Sequence, residues 1–264
     1  MLGHSEHEIR RLQRQHHLFE PLTRQLFEEA GLEPGMKVLD VGSGAGDVAL
    51  LLAQMVGPTG QVTGLEMNAA MLETARRRAA QVGKTNLRFI EGNLDKLELA
   101  EKFDAVVGRW ILMWVADPVQ VLRSLATLLN PGGLVVFQES VFFGHSAYPP
   151  SAILNEWRTI MEPMTSRQPL RQYWMGLALY QLYQAAGLPA PKMRVGTLVG
   201  TGPDWEGYQA LQDAVSSLLP AIKKVNPQAA MPEVDTLAAR LREETVRQQG
   251  AIMMQPLVGA WTRV

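Results

Sequence analysis

No cysteine occurs among the 264 residues. Disulfides, thiolate nucleophiles and cysteine-ligated zinc are thereby excluded, and an intracellular setting is the easier expectation. An excess of either charge is also lacking, with 25 Lys and Arg against 26 Asp and Glu. Such a chain has no surplus of cations with which to release counterions from a phosphate backbone, so nucleic acid is disfavoured as a partner. The one basic run, Arg76-Arg77-Arg78, falls on a helical stretch beside Glu73 and reads as a solvated outer face. No apolar stretch approaches the length of a membrane span. The amino-terminal segment is charged and helical in pattern, so no signal peptide is expected and a cytoplasmic location follows by elimination. Internal repeats and low-complexity tracts are absent too. What remains, with 47% hydrophobic side chains, is one substantial core with additions.

Two textures meet near residue 145. Before it, β-rich runs at 36–41, 61–66, 87–91, 103–108 and 134–139 alternate with helical patterns at 47–55, 69–82 and 119–129. Such alternation predicts parallel pairing and a doubly wound α/β sheet. Asn68 is a natural N-cap, Gly83 a natural stop, and Asp117-Pro118 a cap followed by an N1 proline; "NPGG" from Asn130 should turn the chain into the fifth strand. After it, helices are expected at 151–161, 172–186, 205–219 and 234–249. Two β-like pieces, "KMRVGTLVG" and "AIMMQPLVGAWTRV", read as a sixth and seventh strand pairing antiparallel around a helical insertion. Residues 1–30 carry an apolar helical stripe broken by Pro21. Insertions at the carboxyl ends of parallel strands fall where such sheets bind ligands, so a helical cap over the site is the simplest arrangement. The ending "LVGAWTRV" is a last strand of the sheet or a surface for pairing between chains, and leaves oligomeric state open.

In "LDVGSGAGD" the strand ends at Val41, and Gly42, Gly44 and Gly46 remove side chains where the chain must turn and admit a ligand. The helix after the turn offers unpaired N–H groups. A dinucleotide site wants G-x-G-x-x-G, but the third glycine position holds Asp47, and Asp40 precedes the turn. Two acids repel a pyrophosphate. A ligand with positive charge suits the loop better.

The motif "VLDVGSGAG" resembles the first motif of class I S-adenosylmethionine-dependent methyltransferases. "VTGLEMN", "FIEGNLDKL", "FDAVVGRWILMWVADP" and "LLNPGGLVVFQE" resemble the later motifs in order, so that the likeness covers Leu22 to Glu139 and is to the ubiquinone/menaquinone-biosynthesis type of small-molecule methyltransferase in particular. It implies a Rossmann-like seven-stranded sheet with an antiparallel last strand and a helical cap, with S-adenosyl-L-methionine as cofactor. It divides the chain into N-terminal cap helices (1–30), a cofactor-binding α/β core (31–145), a helical cap insertion (146–190) and the last two strands (191–264) around a helical insertion at 203–249. By the same resemblance Asp40, Gly42 and Gly44 form the cofactor turn, and Glu66 takes both ribose hydroxyls. Met67 covers the adenine face, Asn93 and the Leu94 amide meet the adenine edge, and carbonyls near Gly108 and Arg109 hold the methionine amine. Asn93 departs from the aspartate of many relatives, although its carbonyl oxygen accepts the same bond. Structural roles compete: a helix cap for Asn93, an exposed strand end for Glu66, bonds to the loop's own amides for Asp40, ordinary core for Met67.

Methyl transfer from a sulfonium is an in-line displacement of an activated group, so alignment and exclusion of water come first and a base is optional. His145 is the candidate base best placed by sequence, with Tyr148, Glu139, His16 and His17 as others. His4, His7, His16 and His17 lack an acidic partner at ligand spacing, so no metal is expected. Trp110, Trp114, Phe142, Phe143, Tyr148, Trp157, Met161, Met164, Trp174 and Met175 suit a core, or the pocket of a small apolar or aromatic acceptor. The Asn/Asp-Pro-Pro-aromatic stretch that enzymes methylating DNA bases or protein glutamine share is replaced by "GRWILMW", which argues against macromolecular substrates. Besides the small-molecule methyltransferase, three rivals remain: a non-methylating enzyme that keeps the cofactor for a cyclisation or rearrangement, a non-catalytic binding protein, and, further out, a dinucleotide oxidoreductase.

Overall fold

Buried parallel strands read as near-continuous apolar runs because both faces are covered. The strands β1 (Lys37–Val41), β2 (Gln61–Glu66), β4 (Phe103–Arg109) and the later part of β5 (Leu129–Ser140) behave so in the computed structural model, which describes residues 6–97, 99–142, 144–167, 173–225, 227 and 233–264, whereas β3 (Leu87–Glu91), at the sheet edge, buries Phe89 alone. Five further strands come after them: β6 (Ser146–Tyr148), β7 (Lys192–Gly196), β8 (Val199–Thr201), β9 (Ala251–Met253) and β10 (Leu257–Arg263). Seven of the ten form one sheet in the order β3-β2-β1-β4-β5-β10-β7. β1 to β5 pair in parallel and β10 runs antiparallel to β5. The chain steps outward from β1 to β3 and then returns to β4 on the other side of β1. Ligands bind at such a reversal, at the carboxyl ends of the strands.

Helices α1 (Glu6–Ala30), α2 (Asp47–Met55), α3 (Ala69–Gln81), α4 (Pro118–Ala126) and α6 (Met175–Ala185) accompany this sheet, and α3 and α4 have local causes at their starts. The Asn68 side chain accepts from the N–H groups of Ala70 and Met71, and Asp117 accepts from Gln120 with Pro118 at the first helical position. Leu26, Val38, Leu52, Val62, Leu72 and Val107 meet in the core of this sheet. The Tyr183 hydroxyl reaches the Ala260 carbonyl at 2.9 Å.

The described residues gather into two compact units. One holds the seven-stranded sheet (Glu20–Ser140, Met175–Val195 and Leu257–Val264). The other comprises Val141–Trp174, Gly196–Pro256 and the described part of Met1–Phe19. In this second unit α5 (Ala152–Arg167), α7 (Gly207–Val225) and α8 (Leu237–Arg247) accompany a three-stranded sheet in the order β6-β9-β8. Its ties include the Arg14–Asp213 ion pair at 2.6 Å and a bond from the Ala238 N–H to Gln212.

Three expectations change. Pro21 does not break α1, which runs unbroken over 25 residues. The bond that proline forfeits is outweighed by burial of Phe19, Leu26 and Phe27 on either side of it. "NPGG" is not a turn ahead of a strand but a bulged stretch inside β5, where the register shifts opposite Phe103 and Ala105. There the Gly132 N–H donates to the Val264 carbonyl. The two late β-like pieces each split: β7 and β10 join the large sheet while β8 and β9 pair in the small one, with Pro256 interrupting the second piece.

Gly259 faces Leu26, whose Cδ1 lies 2.4 Å from where a β-carbon would stand. Gly259→Ala is therefore expected to destabilise the chain by roughly 1–3 kcal/mol through overpacking, seen as a lower Tm in thermal unfolding.

Candidate functional site

The turn after β1 closes on its own backbone and on β2. The N–H groups of Gly42 and Ser43 both donate to the Leu65 carbonyl, at 2.8 and 3.0 Å. Gly42 sits at φ 69°, and a β-carbon there would come within 2.5 Å of Ile111 Cδ1. Gly44, at φ 52°, has nothing within 4 Å of the corresponding position, so its missing side chain leaves open space. Glu66, at the end of β2, clamps this turn: one carboxylate oxygen accepts from the Gly44 N–H at 3.0 Å and the other from the Asn68 N–H at 2.9 Å. Each oxygen keeps a further lone pair. Met67 is 66% exposed, which places it on a surface rather than in the core.

Negative charge is concentrated here, but less of it is free than the residue types suggest. Asp40 is buried on β1, and its Oδ2 has no hydrogen-bond partner. Burial pushes its carboxyl up to about 8; Arg109 opposes this, Glu66 and Asp47 reinforce it, and a bond from the Ala49 N–H opposes it slightly. Asp47 pairs with Arg78 at 2.6 Å, and the same guanidinium donates to the Ala45 carbonyl. Arg78 therefore does not belong to a solvated outer face. Its partner charge is cancelled, so repulsion of a pyrophosphate by Asp47 loses most of its force. Arg78→Met is expected to leave a largely buried carboxylate unpaired and to cost about 2 kcal/mol, checked by denaturant unfolding.

Arg109 ends β4 and is linked to α1 and β5 by a short chain of bonds. Its Nη1 donates to Thr23 Oγ1 at 3.0 Å, and that hydroxyl donates to Gln138 Oε1 at 2.7 Å. The guanidinium carbon lies 4.8 Å from the centre of the Trp110 ring. Burial lowers its pKa, while Asp47, Asp40 and Glu20 work against that. Trp110 itself takes φ 54°, an uncommon setting for a bulky residue.

Glu139, near the end of β5, anchors the loop after β4. One of its oxygens accepts from the N–H groups of Ile111 and Leu112, at 2.9 and 2.7 Å, and Oε2 is buried without a partner. Burial raises this carboxyl to about 8 against those two bonds. Asn93, just past β3, caps a short 3-10 turn (Leu94–Lys96), its Oδ1 accepting from the Asp95 N–H at 2.9 Å. Leu94 opens that turn. The structure thus brings Asp40, Gly42, Gly44, Glu66 and Met67 together at the carboxyl ends of β1 and β2, with Arg109, Asn93 and Leu94 at the ends of the neighbouring strands of the same sheet. Three contributors were not singled out from sequence for this place: Glu139 as anchor of the loop after β4, Thr23 with Gln138 beneath Arg109, and Arg78. The polar run "QES" closing an otherwise apolar strand was the available signal for the first.

His145 lies in the second unit, where it lines a cavity of about 780 Å³, counting its open mouth. Burial pulls its pKa down to about 4, against the favourable influence of Gln255 and the Phe142 backbone and with help from Arg158. It is neutral and a weak base near pH 7. Phe142, Trp157 and Met161 line the same cavity; Tyr173 and Met175 are buried, whereas Trp114, Tyr148 and Trp174 are exposed. His4, Phe143 and the side chains of His7 and Met164 lie outside the described residues. Among the described residues no three His, Asp or Glu side chains gather to hold a metal, and no helix is long and apolar enough to cross a membrane.

Among solved structures the chain resembles a putative sarcosine dimethylglycine methyltransferase from Galdieria sulphuraria (TM-score 0.52, 17% identity, 94% of this chain and 85% of that one). It also resembles the YcgJ protein from Bacillus subtilis (TM-score 0.52, 17% identity, 91% and 97%). At these identities the likeness is one of fold. A ubiquinone/menaquinone biosynthesis C-methyltransferase UbiE from Legionella pneumophila (strain Paris) is 33% identical over 144 residues, 54% of this chain and 55% of that protein. Its counterpart in Pseudomonas savastanoi pv. phaseolicola is 35% identical over 118 residues, 44% and 46% of the two chains. The chain spans about half the length of the curated relatives it matches. The family described as a methyltransferase domain matches residues 32–187, more than half of the sequence, and with its seven-stranded sheet and antiparallel terminal strand the chain belongs to that family.

Proposed function

We propose that the chain binds S-adenosylmethionine and passes its methyl group to a small apolar or aromatic acceptor. The observation that carries this reading is the Glu66 clamp, a carboxylate whose two oxygens accept from the Gly44 and Asn68 N–H groups and each hold a lone pair in reserve, next to a glycine with open space where a side chain would stand. A ribose diol fits two adjacent acceptors of this kind. Asp40, buried with an unpartnered oxygen and raised to about 8, can take a cationic ligand as partner by giving up its proton when that ligand binds. Met67 offers an exposed apolar face to a base, and the turn opened by Leu94 offers backbone N–H groups to its edge. When bound, the cofactor supplies a methyl group already activated by the sulfonium charge. The protein's own part is to hold and to orient. Glu139 fixes the loop after β4 through Ile111 and Leu112, and Arg109 is braced by Thr23. No strong base is required of either unit.

The similarity to proteins named as quinone-pathway C-methyltransferases supports a small acceptor of apolar or aromatic character. Incubation with methyl-labelled cofactor and a panel of phenols, quinols, amines and isoprenoids tests the proposal. Label on an acceptor together with release of S-adenosylhomocysteine is expected. An acceptor that is altered without that release would instead mark a cyclisation or rearrangement.

A further inference from the structure

The cavity of the second unit is apolar over most of its wall, with Phe19, Leu154, Met161, Leu211, Val215 and Leu218 among its contributors. The rest of the lining is polar and carries a single charge. Among the described residues no Asp or Glu lines the cavity, and Arg158 is its one cation. His145 is neutral near pH 7, and its ring is bonded to the Gln255 side chain and to the Phe142 backbone, so these polar groups answer one another.

Arg158 lies on α5 and is exposed, which puts its charge where the cavity opens to solvent. Its Nη2 donates to the His145 carbonyl at 2.9 Å, and its charge acts on the His145 ring, so the guanidinium stands at the lining rather than away from it. Arginine carries five N–H donors in a planar fork, and that one bond leaves an edge of the fork for a ligand. Glu156, Asp213 and Glu244, on α5, α7 and α8, have other partners. Glu156 pairs with Arg240 and Asp213 with Arg14, while Glu244 accepts from the Ser151 hydroxyl and the Ala152 N–H.

An apolar wall suits hydrocarbon, and a lone cation at its opening suits an anion. A doubly charged phosphate would set its second charge against apolar surface. An ammonium group would meet Arg158 as a like charge. A carboxylate matches the fork, with one charge and two acceptor oxygens. We infer that this cavity binds a small apolar carboxylate, its hydrocarbon part against the apolar wall and its oxygens on Arg158. Such binding needs no cofactor and does not depend on the proposed function.

Calorimetric titration of the full chain near pH 7 with 4-ethylbenzoate, 4-ethylbenzamide, 4-ethylbenzylamine and acetate tests it. The first three share an apolar body and differ in charge, and acetate has the charge without the body. The benzoate is expected to bind at least about fivefold more tightly than the amide, the protonated amine more weakly than either, and acetate not at all. In Arg158→Gln, which keeps a donor for the His145 carbonyl, the benzoate should fall to the level of the amide. Ala214 lines the same cavity, and Ala214→Leu should narrow it and weaken benzoate and amide alike. Thermal unfolding of each variant, expected unchanged, separates loss of the site from loss of the fold. Equal affinity of the wild-type chain for benzoate and amide, no binding of the benzoate, acetate binding as tightly as the benzoate, a benzoate preference that survives Arg158→Gln, or a folded Ala214→Leu chain that binds both probes as before would overturn the site.

Discussion

Glu66→Ala is expected to weaken binding of S-adenosylhomocysteine by about a hundredfold. Charge-assisted hydrogen bonds to a carboxylate contribute on the order of 1.5–3 kcal/mol each, and two ribose hydroxyls would be lost together. Every 1.4 kcal/mol is about a factor of ten in affinity, so even the lower figures reach that range. The same substitution removes the acceptor for the Gly44 and Asn68 N–H groups, which loosens the turn itself. Calorimetry measures the first effect. A change of less than about tenfold would show that the carboxylate serves only the backbone.

Asp40 should make both stability and cofactor affinity depend on pH. Its carboxyl titrates at about 8 in the folded chain against a reference of 3.8, so between about pH 4 and pH 8 the folded state holds a proton that the unfolded state has released. Stability without ligand therefore falls as pH rises through that window. His145 acts oppositely, because its folded value near 4 lies below its reference of 6.5, and its contribution grows as pH rises from about 4 to 6.5. Above pH 6.5 that contribution is constant. Glu139 shares the direction of Asp40 and leaves part of the slope in place. A cation bound beside Asp40 favours its charged form, so binding should release a proton, and affinity should rise by up to about tenfold per pH unit until pH 8. Asp40→Asn should flatten the loss of Tm between pH 6.5 and 8 and remove the proton release, seen by titration in buffers of different ionisation heat. An unchanged slope and unchanged proton release in Asp40→Asn would place the coupling elsewhere.

Much of the large sheet is legible in the sequence because its signals are local. β2 and β3 have the bounds expected from their apolar runs, and α2 begins and ends where composition changes. Caps at Asn68 and Asp117 act within four residues, so their chemistry can be read directly. What escaped depended on distant partners. The split of the two late β-like pieces between sheets is decided by β5 and β6, over a hundred residues earlier than β9 and β10. Arg78 gave no sign that it would fold back onto Asp47, because helical spacing alone cannot say which face of α3 meets the glycine turn. The glycine turn was legible for the opposite reason: a left-handed turn leaves its mark in residue type, whereas the bonds that Glu66 makes to Gly44 and Asn68 show only in the folded chain. Phe19, Arg158 and Leu218 share no pattern in the sequence; only the folded chain places them in one cavity.

The central claim is met most directly by a crystal structure of the chain with S-adenosylhomocysteine. The account predicts the ribose hydroxyls within hydrogen-bond distance of both Glu66 oxygens, above Gly44. A nucleoside seated anywhere else, with Glu66 bonded to Gly44 and Asn68 alone, would contradict it.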